Sequence, residues 1–191
     1  MKRREFIRLL GGAAATWPLA ARAQQPDRVR RIGVLMNIAE DDPATKARVA
    51  AFRQGLEKRE WSEGRNVHLD YRFTAARSER IPAFAKELVG LQPDVILAHS
   101  TVAAAGLQRE TRAIPIVFVN VSDPIGSGFI ANMARPGGNL TGVMHLEAGI
   151  IGKWLAMLKE IAPRLARAAV VGNRKAAALD YFMRSAQTTA P

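Results

Sequence analysis

The segment "DVILAHS", residues Asp94–Ser100, is the clearest indication of the fold of this 191-residue chain. It is a short apolar run that ends in polar residues, as is typical of a strand buried on both faces of a parallel sheet. The segments "IGVLMN" (Ile32–Asn37) and "IVFVNVSD" (Ile116–Asp123) have the same character. "NVHLDYRF" (Asn66–Phe73) and "LTGVMHL" (Leu140–Leu146) are further predicted strands.

Helix-length segments separate these strands. Apolar side chains recur at helical spacing over residues 81–89, which predicts an amphipathic helix. Residues 102–112 predict a helix of small residues, and residues 44–58 predict one with Asp42 as N-cap and Pro43 at its first position. Strands that alternate with helices form βαβ units with right-handed crossovers. The predicted fold class is therefore α/β, with a doubly wound parallel sheet.

The pattern divides the chain into segments. Residues 24–31 are polar and predict a flexible lead-in, and residues 32–146 hold the predicted sheet. Residues 147–191 begin a second unit. They predict a helix over about residues 150–162, a strand in "AAVVGN" (residues 168–173), and a last helix whose apolar stripe comprises Leu179, Phe182, Met183 and Ala186.

Residues 1–23 have the three-part layout of an export signal. A cationic head over residues 2–8 precedes a weakly apolar run that is too short to anchor the chain in a membrane. The small residues Ala21 and Ala23 suit a signal peptidase, with cleavage after Ala23. The layout predicts that the mature chain is exported from the cytoplasm. A frayed amphipathic helix at the N-terminus is the alternative.

The type of signal is indicated by the pair Arg3 and Arg4. Together with Phe6, this pair resembles the twin-arginine export consensus, whose cargo crosses the membrane already folded. Lys2 stands where that consensus usually has serine or threonine. We therefore expect export by the twin-arginine route.

Composition excludes several functional classes. The chain has no cysteine, so it forms no disulfide and no thiolate metal site. The net charge is +11, but the basic residues are scattered among acids, whereas nucleic-acid binding needs clustered cations. The sequence contains no apolar run of membrane-spanning length. We therefore expect no nucleic-acid partner and no membrane span in the mature chain.

Small polar residues follow three of the predicted strands. They are Asn37, the pair Ser100 and Thr101, and the pair Ser122 and Asp123. In an open parallel sheet, ligands collect beyond the carboxyl ends of the strands, and a helix that begins there favours a carboxylate. These residues are therefore the candidate ligand-binding set. Each also has a structural alternative, as a helix cap at Ser100 or Thr101, a turn initiator at Asp123, or a structural amide at Asn37.

Catalytic alternatives are weaker. The histidines His68, His99 and His145 lack metal-ligand spacing. His99 lies beside Ser100, but no G-x-S-x-G elbow is present, and adjacent strand residues point to opposite faces. The loops "GSGFIA" and "RPGGNLTG" lack the spacing of phosphate-binding loops. We predict neither an enzyme nor a bound cofactor or metal.

Several segments together resemble the tryptophan/tyrosine-type family of ABC transporter substrate-binding proteins. The most specific is "IPIVFVNVSDPIGSGFIANMARPGGNLTGV"; "AAFRQGLEKREWSEGRNVHLDYRF" and the N-terminal "RREFIRLLGGAAATWPLAARAQQ" also match. The resemblance implies a two-lobed type I periplasmic-binding fold that captures a small solute, such as an aromatic amino acid, and delivers it to an ABC permease in the inner membrane. It places the ligand at the same five strand-end residues. A sensor domain of a signalling or regulatory system is the alternative.

Members of this family continue for a long second lobe. The resemblance therefore implies that this chain is truncated, with a complete first lobe over residues 32–146 and the beginning of a second over residues 147–191. Because a cleft protein holds its ligand between two lobes, we expect the isolated chain to bind amino acids weakly or not at all. We also expect the last apolar stripe to have little to pack on.

Overall fold

The computed structural model describes residues 28–146, 149–171 and 178–189. The proposed export-signal residues Arg3, Arg4, Phe6, Ala21 and Ala23 lie outside this part of the chain, as does the first half of the predicted lead-in. The described residues form five strands, one short 3-10 turn and five α-helices.

The strands form a single parallel sheet in the order β2-β1-β3-β4-β5. Their bounds are β1 Arg30–Met36, β2 Val67–Phe73, β3 Val95–His99, β4 Ile116–Ser122 and β5 Leu140–Leu146. Strand β2 lies on one side of β1, and β3, the next strand along the chain, lies on the other side of β1. The strand order therefore reverses between β1 and β3, which is where ligands bind in open α/β sheets.

The helices are α1 Pro43–Glu57, α2 Ile81–Gly90, α3 Thr101–Glu110, α4 Ile150–Ile161 and α5 Ala178–Thr189. Helix α1 begins as expected, because the Asp42 carboxylate accepts a hydrogen bond from the Thr45 N–H at 3.0 Å and Pro43 occupies the first helical position. The predicted helix 81–89 corresponds to α2, which buries Ile81, Ala85 and Leu88.

The two faces of the sheet are covered unequally. Helices α2 and α3 pack on one face, where the strand residues are almost entirely buried: Leu35, Ile96, Ala98, Ile116, Phe118 and Leu140. Helix α1 lies on the other face, where Arg53 donates a hydrogen bond to the Tyr71 hydroxyl. On that face Leu97 and Val119 are half-buried, and Val143 is 68% exposed. The described helices therefore bury the α2–α3 face more completely than the α1 face.

Strand β1 begins inside the segment predicted to be a flexible lead-in. The Arg30 N–H donates to the Asn66 carbonyl at 2.9 Å, and the Arg31 N–H donates to the Asp94 carboxylate at 2.8 Å. Arg30 also pairs with Asp94 through its guanidinium at 2.8 Å. These long-range bonds hold residues 30–31 in the sheet, so the lead-in prediction was wrong for them.

The second unit also departs from expectation. The described residues 168–171 of the predicted strand form no strand, and Val171 is 98% exposed. A strand needs a neighbour for its backbone hydrogen bonds, and residues 168–171 have none in the described part of the chain. The last apolar stripe does have a partner, because α5 packs on α4 and Ala186 is buried.

Candidate functional site

The polar residues that follow β1, β3 and β4 lie at one edge of the sheet. Met36 is paired with His99, and His99 with Val119, so the three strands end side by side. The Ser100 N–H donates to the Val119 carbonyl at 3.0 Å, and the Thr101 hydroxyl oxygen accepts from the Ser122 N–H at 3.2 Å. We call Asn37, Ser100, Thr101, Ser122 and Asp123 the carboxyl-edge set.

Ser100 caps helix α3. Its hydroxyl oxygen accepts from the Ala103 N–H at 3.3 Å, and its backbone has a φ of 102°, which non-glycine residues rarely adopt. The predicted capping role is therefore present. Because Ser100 lies at the carboxyl edge, the amino end of α3, which is the positive end of the helix dipole, faces this edge.

Asn37 connects the end of β1 to the end of β2 through a hydrogen bond. Its Oδ1 accepts a hydrogen bond from the Thr74 hydroxyl at 2.6 Å, and Thr74 is fully buried. The Thr74 N–H donates in turn to the Met36 carbonyl at 2.9 Å. The Asn37 amide group makes no other hydrogen bond to the residues that the structure describes, so its N–H groups remain available to a ligand.

Asp123 performs the turn role that its position suggested. It is only 7% exposed, its backbone φ is 48°, and its Oδ1 accepts from the Gly126 N–H at 2.7 Å. A Cβ at position 126 would collide with this carboxylate, so any larger residue there would displace the carboxylate. The carboxylate is thus engaged within its own loop. In contrast, the Ser122 hydroxyl has no hydrogen bond within the described part of the chain.

A cavity of about 430 Å³ lies on the α1 face, beneath the carboxyl edge. Apolar side chains from three strands and α1 form most of it: Val34, Met36, Val49, Phe52, Leu97 and Val119. The polar residues around it are Arg48, Tyr71, His99, Asn120 and His145. Sequence reasoning placed His99 on the opposite face from Ser100 but identified no cavity there. The alternation of side chains along β3 was the only sequence feature that indicated the face on which His99 lies.

His99 is the most buried polar group of this cavity. Only 7% of the residue is exposed, and its Nδ1 has no hydrogen-bond partner. Its Nε2 lies 3.5 Å from the Asn120 amide nitrogen. Burial lowers the pKa of the imidazole below its usual range, and the positive charge of Arg48 lowers it further. The ring is therefore neutral near pH 7.

Asn120 owes its orientation to a bulge. The pairing of β4 with β5 is irregular between Phe118 and Val121, and Asn120 has a left-handed backbone with a φ of 56°. Bulges commonly redirect a side chain beside a functional site. Here the bulge places the amide near the His99 ring.

The lowered pKa of His99 predicts a pH-dependent stability. The unfolded imidazole titrates at about pH 6.5, and the folded ring titrates lower, so the unfolded chain binds more protons in this range. The contribution of His99 is present above about pH 6.5 and is lost as the pH falls toward the folded pKa. We expect the free energy of unfolding in urea to fall between about pH 7.5 and about pH 5 in the unsubstituted chain, and to fall less in His99→Gln.

His145→Gln is the control, because it removes an exposed histidine that lines the same cavity. Arg48 and Tyr71, which also face the cavity, stay unchanged in both variants. If the His99→Gln and His145→Gln profiles match that of the unsubstituted chain, His99 is not the source of the pH dependence.

None of the helices in residues 28–146, 149–171 and 178–189 has the length and hydropathy needed to cross a membrane. The same residues contain no group of three histidine, aspartate or glutamate side chains placed to hold a metal ion.

Comparison with known proteins gives consistent matches. A tyrosine-binding protein of Clostridioides difficile (strain R20291) is 27% identical over 144 residues, which are 75% of this chain and 41% of that protein. The crystal structure of a conserved domain protein from Vibrio cholerae O1 biovar El Tor is 28% identical, with a TM-score of 0.75 over 85% of this chain and 54% of that one.

Two further solved structures share the fold. The ligand-free, open structure of a substrate binding protein with adhesive properties from Clostridium difficile is 26% identical, with a TM-score of 0.66 and coverage of 85% and 54%. An ABC domain in complex with L-Trp from Streptococcus pneumonia has a TM-score of 0.69 and coverage of 83% and 54%. At 22% identity it supports the fold alone.

The chain spans about half the length of these relatives, 41% of the curated protein and 54% of each solved chain. The family model described as "ABC transporter substrate binding protein" matches residues 31–191, which is most of the chain. The chain therefore belongs to the ABC transporter substrate-binding protein family, a family of binding proteins rather than of enzymes.

Proposed function

We propose that this chain captures an amino acid in the periplasm and that the assembly to which it belongs delivers it to the permease of an ABC importer. The observation that carries the proposal is the carboxyl edge, where the ends of β1, β3 and β4 bring Asn37, Thr101 and Ser122 together at the point of strand-order reversal.

The chemistry of this edge suits an amino acid. The Ser122 hydroxyl and the Asn37 amide N–H groups are free to donate hydrogen bonds to a carboxylate. The amino end of α3, which starts at Thr101, adds a favourable field for a negative charge. The tyrosine-binding relative supports an aromatic amino acid as the ligand. Ser100 and Asp123 contribute by shaping the edge through their cap and turn.

Affinity should be low in this chain alone. It spans 54% of each solved relative, and a ligand at the carboxyl edge is contacted from one side. We expect a titration with L-tyrosine or L-phenylalanine, followed by amide chemical shifts in NMR, to give weak binding with shifts around residues 100–101 and 122. Submicromolar binding measured by calorimetry would contradict a one-sided site.

Ser122→Ala tests the site itself. It removes a hydroxyl that makes no hydrogen bond within the described part of the chain, so its loss should leave the fold intact. We expect it to weaken binding about threefold to tenfold, the usual effect of one hydrogen bond. Ser62→Ala is a control away from the site, since Ser62 lies in the loop that leads into the opposite end of β2, where its hydroxyl accepts a long hydrogen bond of 3.4 Å from Arg65. Equal affinities of the two variants would place the ligand elsewhere.

The export step is a separate proposal that rests on residues 1–23. If these residues are a twin-arginine signal, replacing Arg3 and Arg4 by lysine should leave the precursor in the cytoplasm, and periplasmic protein from the unsubstituted gene should begin at residue 24. Cell fractionation and N-terminal sequencing measure both results. A periplasmic protein that retains residues 1–23 would contradict the proposed cleavage after Ala23.

A further inference from the structure

Thr74 makes a hydrogen bond to the side chain of Asn37, a residue of the carboxyl-edge set. Thr74 directly follows β2 and has no exposed surface, and its hydroxyl donates to the Asn37 Oδ1 at 2.6 Å. This distance is on the short side of the usual range for a hydroxyl donor and an oxygen acceptor. Asn37 is only partly buried. A fully buried group therefore fixes one end of a side chain that lies at the carboxyl edge.

Backbone hydrogen bonds hold the residues on both sides of Asn37. The Thr74 N–H donates to the Met36 carbonyl at 2.9 Å, and the Ala75 N–H donates to the Ile38 carbonyl at 3.1 Å. Met36 and Ile38 are the chain neighbours of Asn37. The turn after β2 therefore fixes the backbone before and after Asn37, and the Thr74 hydroxyl fixes the side chain between them.

The turn after β2 has a strained backbone. Ala75 and Ala76 have φ values of 54° and 59°, in the left-handed region, which is unfavourable for residues that carry a Cβ. Alanine has no polar side-chain atom with which to compensate for this, as asparagine and aspartate do. Such strain persists only where the surrounding structure imposes it, and it is frequent at functional sites. In this chain it accompanies the hydrogen bonds that hold residues 36–38.

The Thr74 hydroxyl decides which end of the Asn37 amide faces it. An asparagine amide has an acceptor, Oδ1, at one end and two donors, the N–H groups of Nδ2, at the other. If the amide were reversed, the Thr74 hydroxyl would accept from Nδ2 and its own hydrogen would need a new acceptor. That hydroxyl has no second hydrogen-bond partner among the described residues, and a buried donor without an acceptor is costly. The Asn37 N–H groups are therefore turned away from Thr74.

We propose that Thr74 is a positioning residue of the proposed amino-acid site and that it acts through Asn37. It directs the Asn37 N–H groups, which are the part of the amide able to donate to a carboxylate, toward the ligand. Because the amide is ordered before the ligand arrives, less rotamer freedom is lost on binding. The inference rests on the proposed function, since a ligand at the carboxyl edge is what Asn37 would contact.

The NMR signal of the Asn37 side-chain amide tests the positioning without any ligand. Thr74→Val keeps the shape of the side chain and the backbone N–H but removes the hydroxyl. We expect the Asn37 amide in this variant to lose its heteronuclear NOE and to shift toward the position of an unfolded chain, and Thr74→Ser, which keeps the hydroxyl, to preserve the signal. Thr45→Val is the matched control, because Thr45 is also buried but its hydroxyl has no hydrogen-bond partner.

The affinity for L-phenylalanine, measured by NMR titration, tests whether this positioning serves the ligand. We expect Thr74→Val to weaken binding about threefold to tenfold, and to have no further effect in the Asn37→Ala background because Thr74 acts through Asn37. Asn37→Asp keeps an acceptor for the Thr74 hydroxyl but replaces the N–H groups by a negatively charged oxygen. It should therefore bind at least about tenfold more weakly than the unsubstituted chain.

Three outcomes would overturn the proposal: an equally ordered Asn37 amide in Thr74→Val, an equal effect of Thr74→Val with and without Asn37, or normal binding in Asn37→Asp. Weaker binding in Ser122→Ala together with normal binding in Thr74→Val would also overturn it, and the proposed function would stand. If the unsubstituted chain binds no L-phenylalanine, the proposed function fails in this chain. The order of the Asn37 amide, which needs no ligand, then shows separately whether Thr74 holds it.

Discussion

Phe118→Ala should lower the free energy of unfolding by about 3–5 kcal/mol, a large part of the stability of an ordinary domain. Phe118 has no exposed surface and is the largest of the fully buried side chains. It lies in β4, paired with Ala98 of β3 on one side and Gly142 of β5 on the other. Both neighbours are too small to fill the space that the ring leaves, so a cavity should remain. Urea unfolding followed by circular dichroism measures the loss.

Val143→Ala is the matched control. Val143 is in the adjacent strand β5, but its side chain is on the α1 face and is 68% exposed. Its truncation should change stability by no more than about 0.5 kcal/mol. A similar loss for both variants would mean that the two faces of the sheet are equally buried, contrary to the structure.

The strands and helices of residues 32–146 were predictable from local sequence patterns. Parallel strands buried on one or both faces leave short apolar runs, and each helix has an apolar stripe or a cap, such as Asp42 at α1. Observed bounds differ from predicted ones by a few residues at most. The order of the strands could not be obtained in this way, because pairing such as Arg31 with His68 joins residues distant in the sequence.

The strand predicted over residues 168–173 shows the limit of the same reasoning. The apolar pattern of Val170 and Val171 is suitable for a strand, but a strand is stable only when a neighbour satisfies its backbone groups. The described residues of this segment have no such neighbour and form no strand. A local pattern therefore predicts a strand's capacity to form, and the partner decides whether it forms.

The candidate site was predictable in position but not in detail. Because carboxyl ends of parallel strands meet at one edge, the polar residues after each strand could be grouped from the sequence alone. The hydrogen bonds of Asn37 with Thr74 and of Thr101 with Ser122 span large sequence separations, and no local signal indicates them. The bulge at Asn120, one of the residues that line the cavity at His99, interrupts a strand that looks regular in the sequence.

Gly142→Ala should destabilise the chain by about 3 kcal/mol, at the upper end of the range for overpacking. The added Cβ would collide with the carbonyl group of Phe118, and with its ring, across the β4–β5 ladder. A flexible side chain could move away, but the carbonyl is backbone in a buried strand. Relief therefore requires that β5 shift away from β4. We expect a reduced unfolding midpoint in urea and faster amide hydrogen exchange in β5.

Two comparisons separate this mechanism from a general cost of replacing glycine. Gly138→Ala is the matched control, because a Cβ there meets no atom within 4 Å, and its stability should stay within about 0.5 kcal/mol of the unsubstituted chain. The double variant Phe118→Ala with Gly142→Ala removes the ring but leaves the carbonyl. It should therefore be no more stable than Phe118→Ala alone. If the double variant instead recovers stability, the ring rather than the backbone is the obstacle, and the close approach of β5 to the Phe118 carbonyl is not what requires glycine.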